Sequence, residues 1–400
     1  MAIINQINLN LISPHKEFWA SEENYLILNP TFSEQQKTYS QKIFEENGHL
    51  KSHIYIASSG TTSLSLEDIK LIAISKAAFL ASAKSVNDIL AAEQDDTWVN
   101  VLPHYHVGGL SIYARAFLKE SIVVNGYKHS EAQNKWNASF FVDTIENYGG
   151  NFTSLVPTQI YDIVSQTLRA PEGLKAVLVG GAAISESLYQ AGRRLGWPLL
   201  PTFGMTEVAS SIATAELDSF STFAYPKLKI LPHITAELDA SKKLKLKAPS
   251  LCTAILHSDK NKNKYFQSGD WLQTEDFAEI ENGFLTPRGR ESDIVKISGE
   301  AINMQELRNK LEQLMTAYPD WNQLMTIVTQ PDSRKGLRIV CAYHKDLPPG
   351  DVQLIINQLN QGLRSIEKVE DLVPVMYIPV TDLGKIKVRE LQIKISQEIE

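Results

Sequence analysis

The sequence predicts an α/β fold, and three observations support this prediction. Several runs of apolar and β-branched residues end in Gly, Pro, Ser or Thr, as strands do before a turn. Segments with apolar residues three and four positions apart, the spacing of an amphipathic helix, follow several of these runs. The chain has 400 residues, of which 43% are hydrophobic, so it can form two or three domains with cores of their own.

The first predicted elements lie between residues 53 and 179. We expect strands at His53–Ser58, Val99–Leu102, Asn151–Val156 and Ala176–Val179. Apolar residues at helical spacing predict helices from Ile69 to Leu90 and from Ile160 to Leu168. Because alternating strands and helices favour a largely buried sheet, functional loops are expected at the carboxyl ends of these strands.

The pattern changes after about residue 225. Lys243–Lys247 alternates strictly, as a half-solvated strand does, and we assign it no function. Further along, we expect helices from Met304 to Met315 and from Val352 to Ile366, with strands at Thr326–Thr329 and Leu337–Tyr343. We therefore predict a large N-terminal domain over residues 1–290, with α/β sheets and a β-rich subdomain, and a small α+β domain over residues 291–400.

Composition argues against several classes of protein. With 39 Lys and Arg against 46 Asp and Glu, the net charge is −7, whereas nucleic-acid binders normally carry a basic surplus. Cys252 and Cys341 have neither metal-binding nor disulfide spacing, which favours a reducing compartment. The sequence shows neither a signal peptide nor an apolar run of the ~18–20 residues that cross a bilayer. We expect a cytoplasmic protein that binds no nucleic acid and is not integral to a membrane.

Several segments carry residues suited to nucleotide chemistry. The run Ser58–Thr62 ends a strand with hydroxyl and backbone N–H donors, which suits polyphosphate binding, although such runs are more often ordinary loops. His104 and His106 stand before Gly108, where an imidazole could border a pocket or occupy a surface turn. We do not predict a zinc site, because no third ligand stands at a suitable spacing.

Other segments follow in the same order along the chain. The small residues Gly180–Ala183 could let a flat ring lie against the backbone, or could simply pack a strand against a helix. Thr206 and Glu207 place a hydroxyl for phosphate beside a carboxylate for Mg²⁺. Asp270 could accept the ribose hydroxyls. The last two segments are Arg288–Asp293 and Leu383–Lys387.

In this order, the segments resemble the adenylate-forming superfamily of acyl-CoA synthetases, peptide-synthetase adenylation domains and luciferases, over roughly residues 53–395. Within it, residues 153–159, 174–183 and 290–293 resemble the o-succinylbenzoate–CoA ligases of menaquinone biosynthesis. The resemblance implies a mobile C-terminal domain and two half-reactions that use ATP, Mg²⁺ and coenzyme A. A carboxylate and ATP give acyl-adenylate and pyrophosphate, and coenzyme A then displaces AMP.

The resemblance also implies roles for individual residues. Those expected to bind the nucleotide and its metal are Ser58, Ser59, Gly60, Thr61, Thr62, Gly181, Ala182, Ala183, Phe203, Gly204, Thr206, Glu207, Asp270 and Arg290. Those expected around the acid and the thiol are His106, Gly108, Ser210, Ser298 and Gly299. Lys385 is expected to bridge the acid and the α-phosphate, and Ser292 to be the hinge.

The chain departs from the family pattern at two places. The usual Pro-Lys bend is missing from the phosphate loop, so Lys70 is expected to be the displaced family lysine, or else an exposed helix residue. Only about 54 residues precede the loop, so we expect part of the first subdomain to be absent or supplied by a partner subunit. Arg115 or Lys119 could meet a second substrate carboxylate, but a solvated helix charge is the favoured interpretation.

The leading hypothesis is therefore an ATP-dependent acid–thiol ligase for o-succinylbenzoate. One alternative is an aryl- or acyl-CoA ligase for another acid, and a second is an adenylation enzyme that loads a carrier protein. An inactive adenylate-binding protein is the alternative of a different class. Small molecules are the expected partners, and a homo-oligomer is also considered.

Overall fold

The computed structural model describes residues 2–4, 16–47, 49–59, 66–129, 134–315, 318, 321, 323–381 and 384–399. Helices α1 to α10 span, in chain order, Lys16–Ala20, Glu34–Asn47, Lys76–Leu90, Val107–Lys119, Ala138–Tyr148, Pro157–Ser165, Glu186–Arg194, Met304–Met315, Pro349–Gln361 and Val388–Ile399. None of these described helices has both the length and the apolar character needed to cross a bilayer.

The strands are numbered β1 to β24 along the same ranges. Strands β1 to β12 span Ala2–Ile4, Tyr25–Ile27, His53–Ser59, Ile69–Ser75, Thr97–Asn100, Ile122–Asn125, Lys128–His129, Asn134–Lys135, Phe152–Leu155, Ala176–Val179, Leu199–Met205 and Ser210–Thr214. Strands β13 to β24 span Leu228–Ile230, Thr235–Leu238, Lys243–Lys247, Ala254–Leu256, Lys264–Tyr265, Leu272–Glu281, Phe284–Arg290, Ile294–Ile297, Glu300–Asn303, Met325–Asp332, Gly336–His344 and Asp371–Val375.

The chain divides into two compact units. The first contains residues 1–184, 189–274 and 279–286, and the second contains residues 185–188, 275–278 and 287–400. The main boundary thus lies at residue 287, a few residues before the expected boundary at residue 290. Two short segments assigned to the N-terminal domain from the sequence belong to the second unit.

An eleven-stranded sheet runs in the order β14-β15-β18-β19-β13-β12-β11-β10-β9-β5-β6. The strands β11, β10, β9, β5 and β6 pair in parallel, while β12 is antiparallel to β11. Parallel neighbours need a crossover connection, and α4, α5, α6 and α7 lie in the connections between these strands. The predicted α/β fold is therefore confirmed.

A second sheet of the first unit runs in the order β1-β2-β3-β4-β16-β17. Its buried face packs against α2 through a cluster that includes Leu26, Phe44, Tyr55, Leu71 and Leu256. The strand β4 pairs antiparallel with β3 on one side and with β16 on the other. This central position places β4 beside the end of β3, where the phosphate loop follows.

The prediction of a helix from Ile69 was wrong over its first seven residues. Ile69–Ser75 forms β4, and the helix begins at Lys76. Because β4 is paired on both sides and almost fully buried, its apolar run has no period that distinguishes a strand from a helix. The helix starts where the Ser75 side chain accepts a hydrogen bond from the Ala78 N–H.

Most other predicted elements are present, with shifted ends. The strand Ala176–Val179 has the predicted bounds, whereas the strand expected at Val99–Leu102 spans Thr97–Asn100. The helix expected to end at Ile366 ends at Gln361. Beyond this end, Leu363 and Ile366 still pack on the core of the second unit, which explains their helix-like apolar spacing.

The core of the second unit surrounds a three-stranded sheet. In it, β23 pairs antiparallel with β22 and parallel with β24. Alternate residues of these strands face opposite sides, as pleating requires. The residues packed with α8 and α9 include Ile327, Ile339 and Cys341. Those packed with α10 include Val328, Val340 and Ala342. The predicted α+β arrangement of this region follows from this two-sided sheet.

Both cysteines of the chain are free and buried. Cys252 is 1% exposed and Cys341 is 0% exposed. Burial raises the pKa of the Cys341 thiol to about 12 and raises the pKa of the Cys252 thiol as well. Both side chains therefore pack as small apolar groups.

The two faces of α9 allow a matched test of this core. Leu359 is 4% exposed and Leu354 is 61% exposed on the same helix. We expect Leu359→Ala to lower the free energy of unfolding of the second unit by about 2–5 kcal/mol, because it leaves a cavity. Leu354→Ala should change it by less than about 0.5 kcal/mol. Urea denaturation measures both, and equal losses would contradict the proposed burial of α9.

Candidate active site

The carboxyl ends of four parallel strands bring most of the predicted segments of the first unit to one edge. In register, β5 pairs with β9, β9 with β10 and β10 with β11. The segments after these strands are Val101–His106, Val156–Gln159, Gly180–Ala183 and Thr206–Val208. Parallel strands place these ends together, where α/β proteins bind their ligands. The structure therefore assembles one candidate site from segments far apart in sequence.

A glycine shapes the end of β11. A Cβ atom at Gly204 would lie 1.9 Å from the carbonyl oxygen of Ser210, so only glycine allows the chain to fold back this closely. The pairing of β11 with β12 shifts register at this point. Between the strands, Thr206–Val208 forms a 3-10 turn, and Ala209 and Ser210 have positive φ angles of 57° and 117°. This tight reversal holds Thr206 and Glu207 at the strand end.

Lys70 and Glu207 form an ion pair at this turn. Lys70 Nζ lies 2.9 Å from Glu207 Oε1, and the two side chains are 27% and 19% exposed. The backbone of Glu207 is fixed by the Cys252 N–H, which donates to its carbonyl oxygen over 2.7 Å. Lys70 lies on β4, so the alternative of an exposed helix residue is wrong. The structure thus brings the proposed phosphate lysine to the proposed metal ligand.

The described part of the phosphate loop ends close to Lys70. Ser58 and Ser59 are the last residues of β3, and they pair with Lys70 and Ile69 of β4. Gly60, Thr61 and Thr62 lie outside the described residues. The strand pairing therefore places the end of β3 beside Lys70.

The His106 segment enters helix α4 through a close backbone contact. His106 is the N-terminal cap residue of the helix and is half-buried. A Cβ atom at Gly109 would lie 2.3 Å from the carbonyl oxygen of Pro103, whereas one at Gly108 would meet only Leu102 Cδ1, at 3.5 Å. Glycine is therefore required at 109 but not at 108. The close approach of Gly109 to the Pro103 carbonyl fixes His106 at the N-terminus of the helix.

Helix α4 also contacts the turn that carries Glu207. Ser111 Oγ donates to the carbonyl oxygen of Val107 over 2.6 Å and lies 3.4 Å from that of Ala209. Ser210, the predicted acid-pocket residue, follows Ala209 directly. The segment with His106 and the turn with Glu207 and Ser210 are consequently neighbours, as the sequence-based assignment of one pocket requires.

Arg115 is buried, so the prediction of a solvated helix charge was wrong for this residue. It is 2% exposed. Its guanidinium lies 5.5 Å from the centre of the Trp98 ring, and its Nη1 lies 3.4 Å from Ser154 Oγ. Its Nε has no hydrogen-bond partner among the described residues. Burial lowers the pKa of Arg115 to about 9.

A sequence signal for the burial of Arg115 did exist. Arg115 stands four positions after Ser111 and three after Ile112, both of which are buried. This spacing puts it on the apolar face of α4. A charged residue at such a position predicts either a paired charge or a ligand contact.

The adenine and ribose candidates are open to solvent. Gly181, Ala182 and Ala183 are exposed after β10, and Gly181 has a φ angle of 80°. Phe203 is half-buried in β11. Asp270 is exposed in a turn, where its Oδ2 accepts the Gln267 N–H over 2.8 Å.

The second unit carries Lys385 and Arg290. The Lys385 N–H donates to Thr381 Oγ1 over 3.0 Å, and Gln323 Nε2 donates to the carbonyl oxygen of Gly384 over 2.8 Å. Although Lys385 is an exposed residue, nearby protein desolvates its ammonium group and, together with the charge of Arg290, lowers its pKa. Asp293 opposes this effect. Lys385 thus lies near positive and negative side chains.

The remaining candidates of the second unit lie at the end of β19 or in turns. Arg290 Nε lies 3.1 Å from Asp276 Oδ1. Ser292 is exposed in the 3-10 turn Glu291–Asp293. Ser298 and Gly299 form the two-residue turn of the β20–β21 hairpin, with φ angles of 50° and 87°. Both angles are positive, as tight hairpin turns require, so these small residues have a structural reason to be there.

A half-buried histidine, His104, makes the stability of the first unit depend on pH. Burial and the neighbouring His106 lower the pKa of His104 to about 4 from 6.5. The unfolded chain therefore binds more protons than the folded chain between these values, and the free energy of unfolding should fall as the pH drops below 6.5. We expect His104→Asn to reduce this fall, as measured by urea denaturation at several pH values.

The exposed His49 provides the control. His49→Asn should leave the pH dependence of unfolding unchanged. The same pH dependence in wild type and His104→Asn would contradict the assigned burial effect.

The sequence matches a known enzyme family and is similar to known CoA ligases. The AMP-binding enzyme family matches residues 26–241. A 2-succinylbenzoate–CoA ligase from Staphylococcus aureus strain MSSA476 is 26% identical over 319 residues, which are 78% of this chain and 61% of that protein. The corresponding ligase from Staphylococcus epidermidis is 26% identical over 332 residues, 78% of this chain and 64% of that protein. The chain thus spans about three fifths of the length of these relatives.

Solved structures show the same fold. The o-succinylbenzoate CoA synthetase of Bacillus subtilis with its acyl-adenylate intermediate OSB-AMP matches with a TM-score of 0.74 and 18% identity, over 92% of this chain and 83% of that one. The same enzyme with ATP and magnesium matches with a TM-score of 0.74 and 19% identity, over 92% and 84% of the two chains. At this identity the likeness establishes the fold.

Proposed function

Because the chain belongs to the AMP-binding enzyme family, we propose that it is an ATP-dependent acid–CoA ligase that works through an acyl-adenylate. The Lys70–Glu207 ion pair beside Thr206, at the carboxyl end of β11, carries this proposal. Attack of a carboxylate on the α-phosphorus brings anions together, so it needs a cation and a metal ligand side by side. ATP, Mg²⁺ and coenzyme A are the proposed cofactors and co-substrates.

Glu207 suits a magnesium ion that is bound together with a nucleotide. No group of three potential metal ligands occurs among the described residues. Mg²⁺ is commonly held by one or two carboxylates and by substrate phosphates, so a single carboxylate fits this use. When bound, the ion would offset the charge of the phosphates. Lys70 would leave Glu207 and contact a phosphate of the nucleotide. Thr206 would bind the α-phosphate, and Asp270 and Arg290 would bind the ribose.

We favour o-succinylbenzoate as the acid, for two reasons. The relatives from Staphylococcus carry the name 2-succinylbenzoate–CoA ligase. In addition, Arg115 is buried and forms no ion pair with a carboxylate among the described residues, and burial alone lowers its pKa. Buried charges are normally paired. A second carboxylate on the acid would supply the missing charge, while His106 and Ser210 border the reacting end.

The second unit is proposed to serve both half-reactions. Lys385 would bridge the acyl carboxylate and the α-phosphate during adenylation. Rotation of this unit about Ser292 would then withdraw Lys385 and present Ser298 and Gly299 to the thiol. A cytoplasmic location and a homo-oligomeric assembly stay predictions from the sequence.

ATP–pyrophosphate exchange with a panel of acids tests the function. We expect exchange with o-succinylbenzoate and weak exchange with benzoic acids that lack the second carboxylate. Arg115→Gln should raise the KM for o-succinylbenzoate about tenfold to a hundredfold, because a charged hydrogen bond is lost. Lys119→Gln on the same helix is the matched control and should leave this KM unchanged.

Other outcomes of the panel would replace the proposal. Exchange with a different acid would support the proposed reaction but show that o-succinylbenzoate is not the substrate. Transfer only to a carrier-protein thiol would indicate a loading enzyme. No exchange with any acid would indicate an adenylate-binding protein without activity.

Glu207→Gln tests the metal ligand. The amide keeps the size of the side chain but does not neutralise Mg²⁺, so we expect adenylation to fall by about two orders of magnitude or more. Glu281→Gln, at the exposed end of β18, is the control and should behave as wild type. Near-normal exchange in Glu207→Gln would remove Glu207 from the site.

Lys385→Ala tests whether Lys385 acts in adenylation only and not in thioester formation. We expect exchange to fall by orders of magnitude, while conversion of supplied acyl-adenylate and coenzyme A to thioester continues. Lys387 is 44% exposed and lies 3.5 Å from Glu390, so Lys387→Ala should have little effect on either step. Equal damage to both steps in Lys385→Ala would contradict the rotation, and damage in Lys387→Ala alone would move the catalytic lysine to 387.

A further inference from the structure

A row of polar residues crosses one end of the second sheet of the first unit. Ser58 of β3 pairs with Lys70 of β4, and Leu71 of β4 pairs antiparallel with Leu256 of β16. The residue before Leu71 is therefore beside the residue after Leu256, so Lys70 neighbours His257. Ser58, Lys70 and His257 thus stand side by side across three strands.

This row lies on the face of the sheet opposite α2. Alternate residues of a strand point to opposite faces. Leu71 and Leu256 belong to the buried cluster that packs on α2, so Lys70 and His257 are on the other face. On that face Lys70 Nζ contacts Glu207 Oε1. The row therefore belongs to the same face as the proposed metal ligand.

The chain returns to His257 after a short turn that brings two more lysines. The turn is held by Asn263, whose Oδ1 accepts the His257 N–H over 2.7 Å. Lys262 ends the 3-10 part of the turn, and Lys264 lies on β17, opposite Ile255 of β16. Paired residues of neighbouring strands share a face, and Ile255 is two positions before His257. Lys264 is therefore on the face of His257.

The charges of these lysines reach the His257 ring. Burial lowers the pKa of His257, and the positive charges of Lys70, Lys262 and Lys264 lower it further, while Asp259 opposes them. The imidazole is consequently neutral near pH 7 and keeps one N–H to donate. Lys262 and Lys264 are exposed, so a dissolved ligand can reach them. We call His257, Lys262 and Lys264 the basic cluster.

The basic cluster suits a ligand with several adjacent negative charges. Three lysines act on His257 against one carboxylate, that of Asp259, so the local charge is positive. Lysine binds phosphate as a point charge, and an N–H group can donate to a phosphate oxygen. In the proposed adenylation, the bond between the α-phosphorus and the β-phosphate oxygen breaks, and the electron pair leaves with pyrophosphate. Positive charge at that end would stabilise the leaving group.

We infer that the basic cluster extends the site of Lys70 into a subsite for the terminal phosphates of ATP and for the released pyrophosphate. The inference rests on the proposed function, in which ATP is the co-substrate. Lys262 and Lys264 supply charge, and His257 supplies a hydrogen bond. The phosphate loop lacks its usual Pro-Lys bend, and residues from β16, β17 and their connecting turn make up for this loss.

Equilibrium binding of ATP and AMP tests the subsite without using activity. We expect the double variant Lys262→Gln/Lys264→Gln to raise the Kd for ATP about tenfold in the presence of Mg²⁺, because charged contacts to phosphate are lost. The Kd for AMP should stay unchanged, since AMP has no β- or γ-phosphate. Inorganic pyrophosphate should displace ATP from the wild type and should bind about tenfold more weakly to the variant. Isothermal titration calorimetry measures these constants.

His257 is tested by a pair of variants. His257→Ala removes the N–H donor and should raise the Kd for ATP several-fold, with the Kd for AMP unchanged. His257→Asn keeps an N–H donor and should restore part of the ATP affinity. A Kd for ATP that is the same in His257→Ala and in the wild type would remove His257 from the subsite.

Lys260→Gln is the matched control for the two lysines. Lys260 lies in the same 3-10 turn as Lys262, but its Nζ lies 3.8 Å from Glu46 Oε2. It carries the same charge as Lys262 and is likewise exposed. This variant should leave the Kd values for ATP, AMP and pyrophosphate unchanged.

Three results would overturn the subsite. An unchanged Kd for ATP in the double variant would make both lysines solvated surface charges. Equal rises for ATP and AMP would indicate a change in the whole nucleotide site. A rise in Lys260→Gln as large as in the double variant would indicate a general effect of net charge. If the wild type shows pyrophosphate exchange with no acid, the proposed function fails, while the Kd values still decide whether the subsite exists.

Discussion

Parallel hydrogen bonding between β5, β9, β10 and β11 is the constraint on which the site of the first unit depends. It aligns four strand ends, so loops up to a hundred residues apart in sequence meet at one edge. The close approach of Gly204 to Ser210 then turns the chain back at the end of β11. Without that reversal, Glu207 would continue away from the edge and would not meet Lys70, which arrives from the other sheet.

Three cations of the molecule occupy three electrostatic settings. Lys70 has a carboxylate partner, Arg115 is buried with a ring and a hydroxyl, and Lys385 lies among charges of both signs. The proposed adenylation joins two anions and would need positive charge that is available at different stages, which these three settings suit. The paired lysine is released only by a competing anion or cation. The buried arginine, in contrast, attracts an anion from the start.

The sequence was most informative where local pattern and tertiary environment agree. Ala176–Val179 and Met304–Met315 were predicted with their bounds because each pattern matches one environment along its length. Ile69–Ser75 was misassigned because a strand covered on both faces has no period. Motif order predicted the family, and the pairing of β3 with β4 then placed Lys70 opposite Ser58, at the start of the phosphate loop. The Lys70–Glu207 contact itself depends on packing between elements that no local pattern encodes, whereas the helical spacing of Arg115 from Ser111 and Ile112 did signal its burial.

The buried cysteines have a practical consequence for measuring the proposed rotation of the second unit. The thiolate is the reactive form of cysteine, and burial makes it scarce at both native positions. Maleimide dyes should therefore react with introduced thiols and leave the native ones unmodified. The exposed positions Tyr148 in the first unit and Leu354 in the second accept such thiols without disturbing a core. Fluorescence energy transfer between dyes there would follow the two units in single molecules during turnover, in an otherwise unaltered chain.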